Sequence, residues 1–277
     1  MVTTRSGGAS RVERRSPAPL CGFLARLVAD DSSRRAGPQP ASIVGALTMG
    51  RPLVNDARLR ISRSHFPVTA LGPGLRLGVW GQGCPLACSG CMPRGTRDPD
   101  GGVEVGAADL ERRWRDTMDR GATGLTVSGG ELLAQAGAFR RFLKSVRRVG
   151  SEFGGDLDVL ISTGYKLGEI DADRVEAVDL ADAVIMGCYD AASPTDPLWR
   201  GSANQSLLIR SDSGRRRYAE WEDRRAARPP WQMRVDGTGV WFAGIPPRGA
   251  LARVDRAVRS TGLAFRSVSW RSGSSGL

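Results

Sequence analysis

The spacing of hydrophobic positions changes period several times between residues 75 and 190, and each change marks an element. Residues 75–80, Leu-Arg-Leu-Gly-Val-Trp, alternate apolar and other side chains and predict a strand. Ala108 to Arg120 then sets Leu110, Trp114 and Met118 at i, i+4 and i+8, one face of a helix, with Arg and Asp opposite; Gly121 suits its C-terminal cap. A short β-type run from Gly124 to Ser128 ends at Gly129-Gly130-Glu131. The helix after it carries Phe139, Phe142, Leu143 and Val146 on one stripe. Arg140, Arg141, Lys144, Arg147 and Arg148 occupy the other stripe and read as a solvated face rather than a binding patch. Leu157 to Ile161 predicts the next strand, ending at Ser162-Thr163-Gly164-Tyr165. Residues 169–180 predict a helix, and Ala183 to Met186 a fourth strand ending at Gly187-Cys188-Tyr189-Asp190.

This alternation predicts an α/β fold of βαβ units, with a parallel sheet and right-handed crossovers. The residues able to do chemistry follow the C-terminal ends of successive strands, where parallel α/β folds place their sites.

Either side of this region the pattern weakens. Residues 1–60 mix Ser, Arg, Gly, Pro and Ala with little periodicity and read as a disordered, low-complexity N-terminal arm. Within it, Leu20 to Val28 spans two helical turns around Cys21, a stray thiol. Met49 opens a stretch of more ordinary composition, so Met1 and Met49 both stand as candidate starts. Residues 61–210 form the main domain. The arginine-rich stretch 211–228 reads as a linker or exposed helix, with Pro229-Pro230 as a breaker. Gln232–Val235 and Gly239–Ile245 predict a hairpin through Asp236-Gly237, and a helix follows at 249–261. Residues 211–271 are thus a basic linker and a small β-β-α appendix, and 272–277 a flexible tail.

Charge changes the picture less than its total suggests. The chain carries +11, with +6 on residues 1–60, +8 on residues 210–277 and −3 on the region between. Positive charge on two arms flanking an acidic core argues against nucleic acid as the partner. No apolar run approaches the roughly 18 residues of a membrane span. Clustered thiols without an export signal point to the cytoplasm.

The chemistry sits in Gly83-Cys84-Pro85-Leu86-Ala87-Cys88-Ser89-Gly90-Cys91, a C-x3-C-x2-C loop holding three of the five cysteines. Structural zinc sites are closed by four protein ligands, whereas a cubane held by three thiolates keeps one iron open. Cys188 is a possible fourth thiol, read first as a residue buried beside a strand end. His65, the only histidine, fits a Cys3His zinc site poorly by spacing. Trp80, Trp231 and Trp241 read as core.

With the Gly129-Gly130-Glu131 turn beside the cysteine loop, the chain resembles radical S-adenosylmethionine enzymes. More narrowly it resembles the activating proteins of anaerobic ribonucleotide reductase. Roughly residues 66–210 are involved. They include Gly72-Pro73-Gly74, the cysteine loop, Ser128 to Glu131, Thr163 to Leu167, and Trp199-Arg-Gly-Ser-Ala-Asn-Gln205.

The resemblance implies a partial (β/α) barrel and an enzyme whose cofactors are a 4Fe–4S cluster and S-adenosylmethionine. It implies that Cys84, Cys88 and Cys91 bind three irons. Ser128, Gly129, Gly130 and Glu131 would hold the methionine part, and Ser162 and Thr163 would reach the cofactor from the next strand end. The implied partners are a glycyl-radical enzyme or other hydrogen donor, and an electron donor such as flavodoxin or ferredoxin.

Three departures stand out. Gly90 sits where many radical enzymes carry an aromatic, Met92-Pro93 follows Cys91, and Leu132 stands where proline is common. Two other functions remain open: modification of a peptide or small molecule, and non-catalytic electron transfer through the cluster.

Overall fold

The computed structural model describes residues 57–225, 230–236, 239–265 and 268. Most of the N-terminal arm, with Cys21 and Met49, lies outside them, as does the 272–277 tail. One sheet of seven strands organises the main unit, in the order β3-β1-β2-β4-β5-β6-β7. The strands are β1 (Arg58–Val68), β2 (Arg76–Gly81), β3 (Val103–Gly106), β4 (Gly124–Gly129), β5 (Asp158–Thr163), β6 (Ala183–Met186) and β7 (Ser206–Ile209). The expected parallel strands are its middle four, β2, β4, β5 and β6. Antiparallel strands flank them, β1 and β3 on one side and β7 on the other. This is the α/β, parallel-centred arrangement of a partial (β/α) barrel.

Helices α1 (Ala107–Asp119), α2 (Ala136–Phe153) and α3 (Ala172–Val178) cover one sheet face. Trp114, Phe139, Phe142, Leu143 and Val146 pack there on Leu77, Val79, Leu125, Val127, Val159, Ile161 and Val184, all nearly inaccessible. Side chains alternate along a strand, so the intervening residues face the other way. That second face holds Leu160, Ala183 and Ile185 under Leu198, Trp199, Leu207 and Tyr218. Three of the four arginines of α2 are paired. Arg140 reaches Asp173 and Glu176, Arg147 reaches Asp182, and Arg148 reaches Glu111 and Glu152.

The structure corrects three boundaries. β1 begins at Arg58, inside the stretch read as an arm, and supplies an antiparallel strand between β3 and β2 whose Leu59 and Ile61 are core. The stretch after residue 210, expected as a linker or exposed helix, forms a short helix, α4 (Asp212–Tyr218), that buries Tyr218 completely. The hairpin extends to β8 (Trp231–Asp236) and β9 (Gly239–Gly244). It is fastened to the end of β1 by Gln232, whose Oε1 accepts from Thr69 N at 2.7 Å and Ala70 N at 3.2 Å. The last helix, α5, runs Ala250–Arg259.

Under the N-terminal ends of the strands lies a buried ion pair that sequence reading missed. Arg76 and Asp158 have no solvent exposure. Arg76 donates to Asp158 twice, at 2.7 and 3.0 Å, to Thr126 Oγ1, and to the carbonyls of Pro73 and Leu125. All five of its N–H groups are thereby used. Tyr218 donates its phenol to Asp158, and Arg217 lies 2.8 Å from the same carboxylate. Burial, reinforced by Asp158, pushes the Tyr218 phenol well above its ordinary range, so it remains a donor.

Candidate functional site

β2 runs directly into the cysteine loop, and the loop is closed at its root by backbone hydrogen bonds. Gly83 N donates to Thr96 O at 2.8 Å and Cys84 N to Arg97 O at 3.1 Å. Gln82, 3% exposed, donates from Nε2 to Gly95 O and Asp98 O and fixes the returning strand of the loop. The turn after β4 locks onto the same root, with Gly130 N donating to Gly81 O and Glu131 N to Gly83 O.

Glycine is required at that junction. A Cβ on Gly130 would stand 2.7 Å from Gly83 O and 2.9 Å from both Gly81 O and Thr96 O. None of those oxygens can move without shifting the loop. Gly130→Ala is therefore expected to cost about 1–3 kcal/mol and to reduce iron uptake, measured as iron per chain after anaerobic reconstitution.

The thiols gather above the ends of the parallel strands. Cys84, Cys88 and Cys91 are each partly exposed and lie within electrostatic reach of one another. Burial raises the Cys91 thiol, and the positive charge of Arg97 only partly offsets this. Arg97 also donates to Cys88 O, which in turn accepts from Cys91 N at 3.3 Å. One guanidinium thus organises the loop and sets positive charge beside the thiols. A lone arginine beyond the loop gave no signal in the sequence.

Among the described residues, no three His, Cys, Asp or Glu side chains stand at the spacing a single metal ion needs. Thiolates sharing one zinc stand about 4 Å apart. In a cubane each thiolate takes a different iron, and three soft donors suit that arrangement. The Cys3His alternative fails on position as well. His65 lies on β1 opposite Gly78, with its ring 4.7 Å from that of Trp241.

The residues expected at the cofactor fall into two groups. Trp80, Ser128, Ser162 and Ile185 form a row across the sheet ends, on the face away from the helices. Ser128 and Ser162 are half-buried there. Glu131 is turned inward and is only 3% exposed. Its Oε2 accepts from Thr163 Oγ1 and Gly164 N, both at 2.9 Å, and its Oε1 from Leu133 N at 3.0 Å. This carboxylate therefore ties the β4 turn to the end of β5, and Thr163, 4% exposed, is part of the same tie.

Burial raises the Glu131 carboxyl above its ordinary pKa, and the three hydrogen bonds only partly offset this. The folded chain then holds the Glu131 proton more tightly than the unfolded chain, so this group's contribution to stability falls as pH rises from about 4.5 through the raised value. Glu131→Gln should remove that part of the slope. Urea midpoints of the two proteins, compared across that pH range, will check it.

Cys188 sits closer to this chemistry than expected. It is half-buried rather than fully buried, and its turn lies against the cysteine loop: a Cβ on Gly164 would stand 3.7 Å from Cys188 Sγ and 2.4 Å from Leu86 Cδ1. Burial first, then Cys88, pushes it up to about 11, so it is held protonated. Its turn is pinned by Asn204 Nδ2 on Cys188 O at 2.7 Å and Gln205 Nε2 on Gly187 O at 2.8 Å. The departures are accommodated too. A Cβ at Gly90 would meet Ala191 at 2.7 Å and the Tyr189 ring at 3.6 Å, leaving no room for an aromatic there. Leu132 is buried with its Cγ against Gly81, where a Cβ would stand 2.7 Å from it.

Residues 70–208 match the family model for the 4Fe-4S single cluster domain. The anaerobic ribonucleoside-triphosphate reductase-activating protein of Escherichia coli K12 is 32% identical over 146 residues, covering 51% of this chain and 93% of that protein. The chain belongs to this family. The Haemophilus influenzae activating protein is 33% identical over 149 residues, covering 52% of this chain and 94% of its own. Pyruvate formate-lyase 1-activating enzyme of E. coli K12 is 36% identical over 85 residues, 30% of this chain and 35% of that enzyme. The protein is accordingly a radical S-adenosylmethionine enzyme, and its cofactors are a 4Fe–4S cluster and S-adenosylmethionine. The β8–β9 hairpin and α5 lie beyond the matched region. Among the described residues, no helix is long and apolar enough to cross a membrane.

Proposed function

We propose that the protein activates a glycyl-radical enzyme of the anaerobic ribonucleotide reductase kind, by taking a hydrogen atom from a glycine α-carbon of that partner. One observation carries the reading. The Cys84, Cys88 and Cys91 thiols, with Arg97 beside them, stand over the ends of four parallel strands, in a region spanning nearly the whole length of named activating proteins.

When bound, the cluster and S-adenosylmethionine supply a 5′-deoxyadenosyl radical. The chain's own residues hold and shield. Cys84, Cys88 and Cys91 bind three irons. Ser128 and Gly129, half-buried at the end of β4, offer polar groups to the amino-acid end of S-adenosylmethionine, and Gly130 locks their turn onto the root of the cysteine loop. Glu131 and Thr163 keep that turn and the next strand end in register, and Ser162 presents a hydroxyl from the same row. Flavodoxin or ferredoxin is the proposed source of the electron.

Incubating the reduced, cluster-loaded protein with S-adenosylmethionine and an anaerobic ribonucleotide reductase should give the doublet of a glycyl radical by electron paramagnetic resonance. Cleavage of S-adenosylmethionine without any such signal would redirect the reading to another hydrogen donor. The hairpin favours that second reading. Trp241 packs at 5.8 Å from Trp80 and 4.7 Å from His65, so an element outside the matched region sits on the sheet face that carries Ser128 and Ser162. A peptide or small molecule fitted to that wall would then be the hydrogen donor.

A further inference from the structure

Arg97 touches the cysteine loop at both of its ends. Its carbonyl accepts from Cys84 N at 3.1 Å. Its Nη2 donates to Cys88 O, and that oxygen also accepts from Cys91 N at 3.3 Å. The segment carrying Arg97 is fixed independently. Gly83 N donates to Thr96 O, Arg97 N donates to Arg94 O at 3.1 Å, and Gln82 Nε2 donates to Gly95 O at 2.8 Å and Asp98 O at 2.7 Å. Two features go beyond what holding the loop requires. The first is an uncompensated charge: among the described residues no carboxylate stands within ion-pair distance of this guanidinium. The second is Nε, which is buried and has no acceptor among the described residues. Nε–H and Nη2 project from one edge of the rigid guanidinium plane, so the spare donor is held beside the Cys88 carbonyl. A buried N–H without an acceptor is costly, and the sulfur atoms of a cluster on this loop are acceptors.

We infer that Arg97 is a positioning residue for the electron: its fixed charge and spare N–H raise the reduction potential of the cluster and so ease the step that starts the reaction. The inference rests on Cys84, Cys88 and Cys91 holding the cluster, and not on which partner gives up the hydrogen. One electron enters from a reduced flavodoxin, ferredoxin or chemical reductant, which is oxidised by one electron. Arg97 stays protonated throughout, so no proton has to accompany it. An added negative charge is favoured beside a fixed cation, and net charge and hydrogen bonds to sulfur are what set the potentials of such clusters. For a guanidinium bonded to the loop and partly screened by solvent, the effect on this equilibrium is on the order of tenfold.

The test is an anaerobic redox titration of the reconstituted full chain, followed by the electron paramagnetic resonance signal of the reduced cluster. Arg97→Gln removes the charge and keeps an N–H donor, whereas Arg97→Lys keeps the charge. At a fixed potential Arg97→Gln should lower the ratio of reduced to oxidised cluster about tenfold, a midpoint lower by about 59 mV for one electron. Arg97→Lys should recover most of that shift. The midpoint is read from whatever fraction of the protein carries a cluster, so poor loading of a variant does not hide it. Equal midpoints in wild type and Arg97→Gln would overturn the inference even if the variant loaded less iron, because Arg97 would then be a clasp for the loop and nothing more. An Arg97→Lys midpoint as low as that of Arg97→Gln would overturn the role of charge. The ligand assignment is read separately. A fully loaded cluster in Cys88→Ala would overturn that assignment and this inference together, whereas equal midpoints with no cluster in Cys88→Ala would overturn this inference alone.

Discussion

Cys84→Ala, Cys88→Ala and Cys91→Ala should each emerge from anaerobic reconstitution without a 4Fe–4S cluster, and without measurable cleavage of S-adenosylmethionine. The size of the effect follows from the site. Three cysteines are available as strong ligands in the loop, and the open iron depends on there being no fourth. Removing one leaves two thiolates beside Arg97, too few to hold a cubane in place. Loss should be nearly complete in each variant, read as iron and sulfide per chain and as the visible charge-transfer absorption. The fold should survive, because all three side chains are partly exposed and none belongs to either hydrophobic cluster. A variant that loads a full cluster would remove that cysteine from the ligand set.

Asp158→Ala should be the most destabilising single change in the framework. Asp158 receives two bonds from Arg76 and one from Tyr218, with Arg217 closing on the same carboxylate, all at a position without solvent exposure. Truncating it leaves the Arg76 guanidinium charged, buried and unpaired, at a cost of about 3–5 kcal/mol. For a domain of this size that lowers the thermal midpoint by roughly 10 °C. The double replacement Arg76→Met with Asp158→Leu should lose less than Asp158→Ala alone, because it removes the buried charge together with its partner. Differential scanning calorimetry of the three proteins would show the order; a double variant less stable than the single one would mean the pair itself is stabilising.

Much of the architecture could be read from periodicity. The central strands alternate, or run fully apolar, between helices with clear stripes, and they fold as expected near residues 76–81, 124–129, 158–163 and 183–186. The edges could not be read that way. β1 carries Arg58, Arg60, Arg63 and His65 on its less buried positions, and those residues mask the alternation of Leu59 and Ile61. α4 was hidden for a different reason. Its arginine run looks like solvated linker, and only Asp158, sixty residues earlier, explains why Arg217 and Tyr218 turn inward.

The cysteine loop and the Gly129-Gly130-Glu131 turn were legible because their chemistry needs particular residues at short spacings. How they interlock was not. The contact of Gly130 with Gly81 O, Gly83 O and Thr96 O is a fact of three-dimensional packing. So is the inward turn of Glu131, whose carboxylate accepts from Thr163 and Gly164. Cys188 was read first as a residue buried beside a strand end, because nothing nearby in sequence calls for it.

The radical chemistry is tested most directly by reconstituting the full chain anaerobically and supplying S-adenosylmethionine with a strong one-electron reductant. Reductive cleavage should release 5′-deoxyadenosine and methionine in equal amounts, with neither formed in the Cys84→Ala, Cys88→Ala or Cys91→Ala proteins. Intact S-adenosylmethionine in the presence of a fully loaded, reduced cluster would contradict the account and leave a carrier of electrons rather than an initiator of radicals.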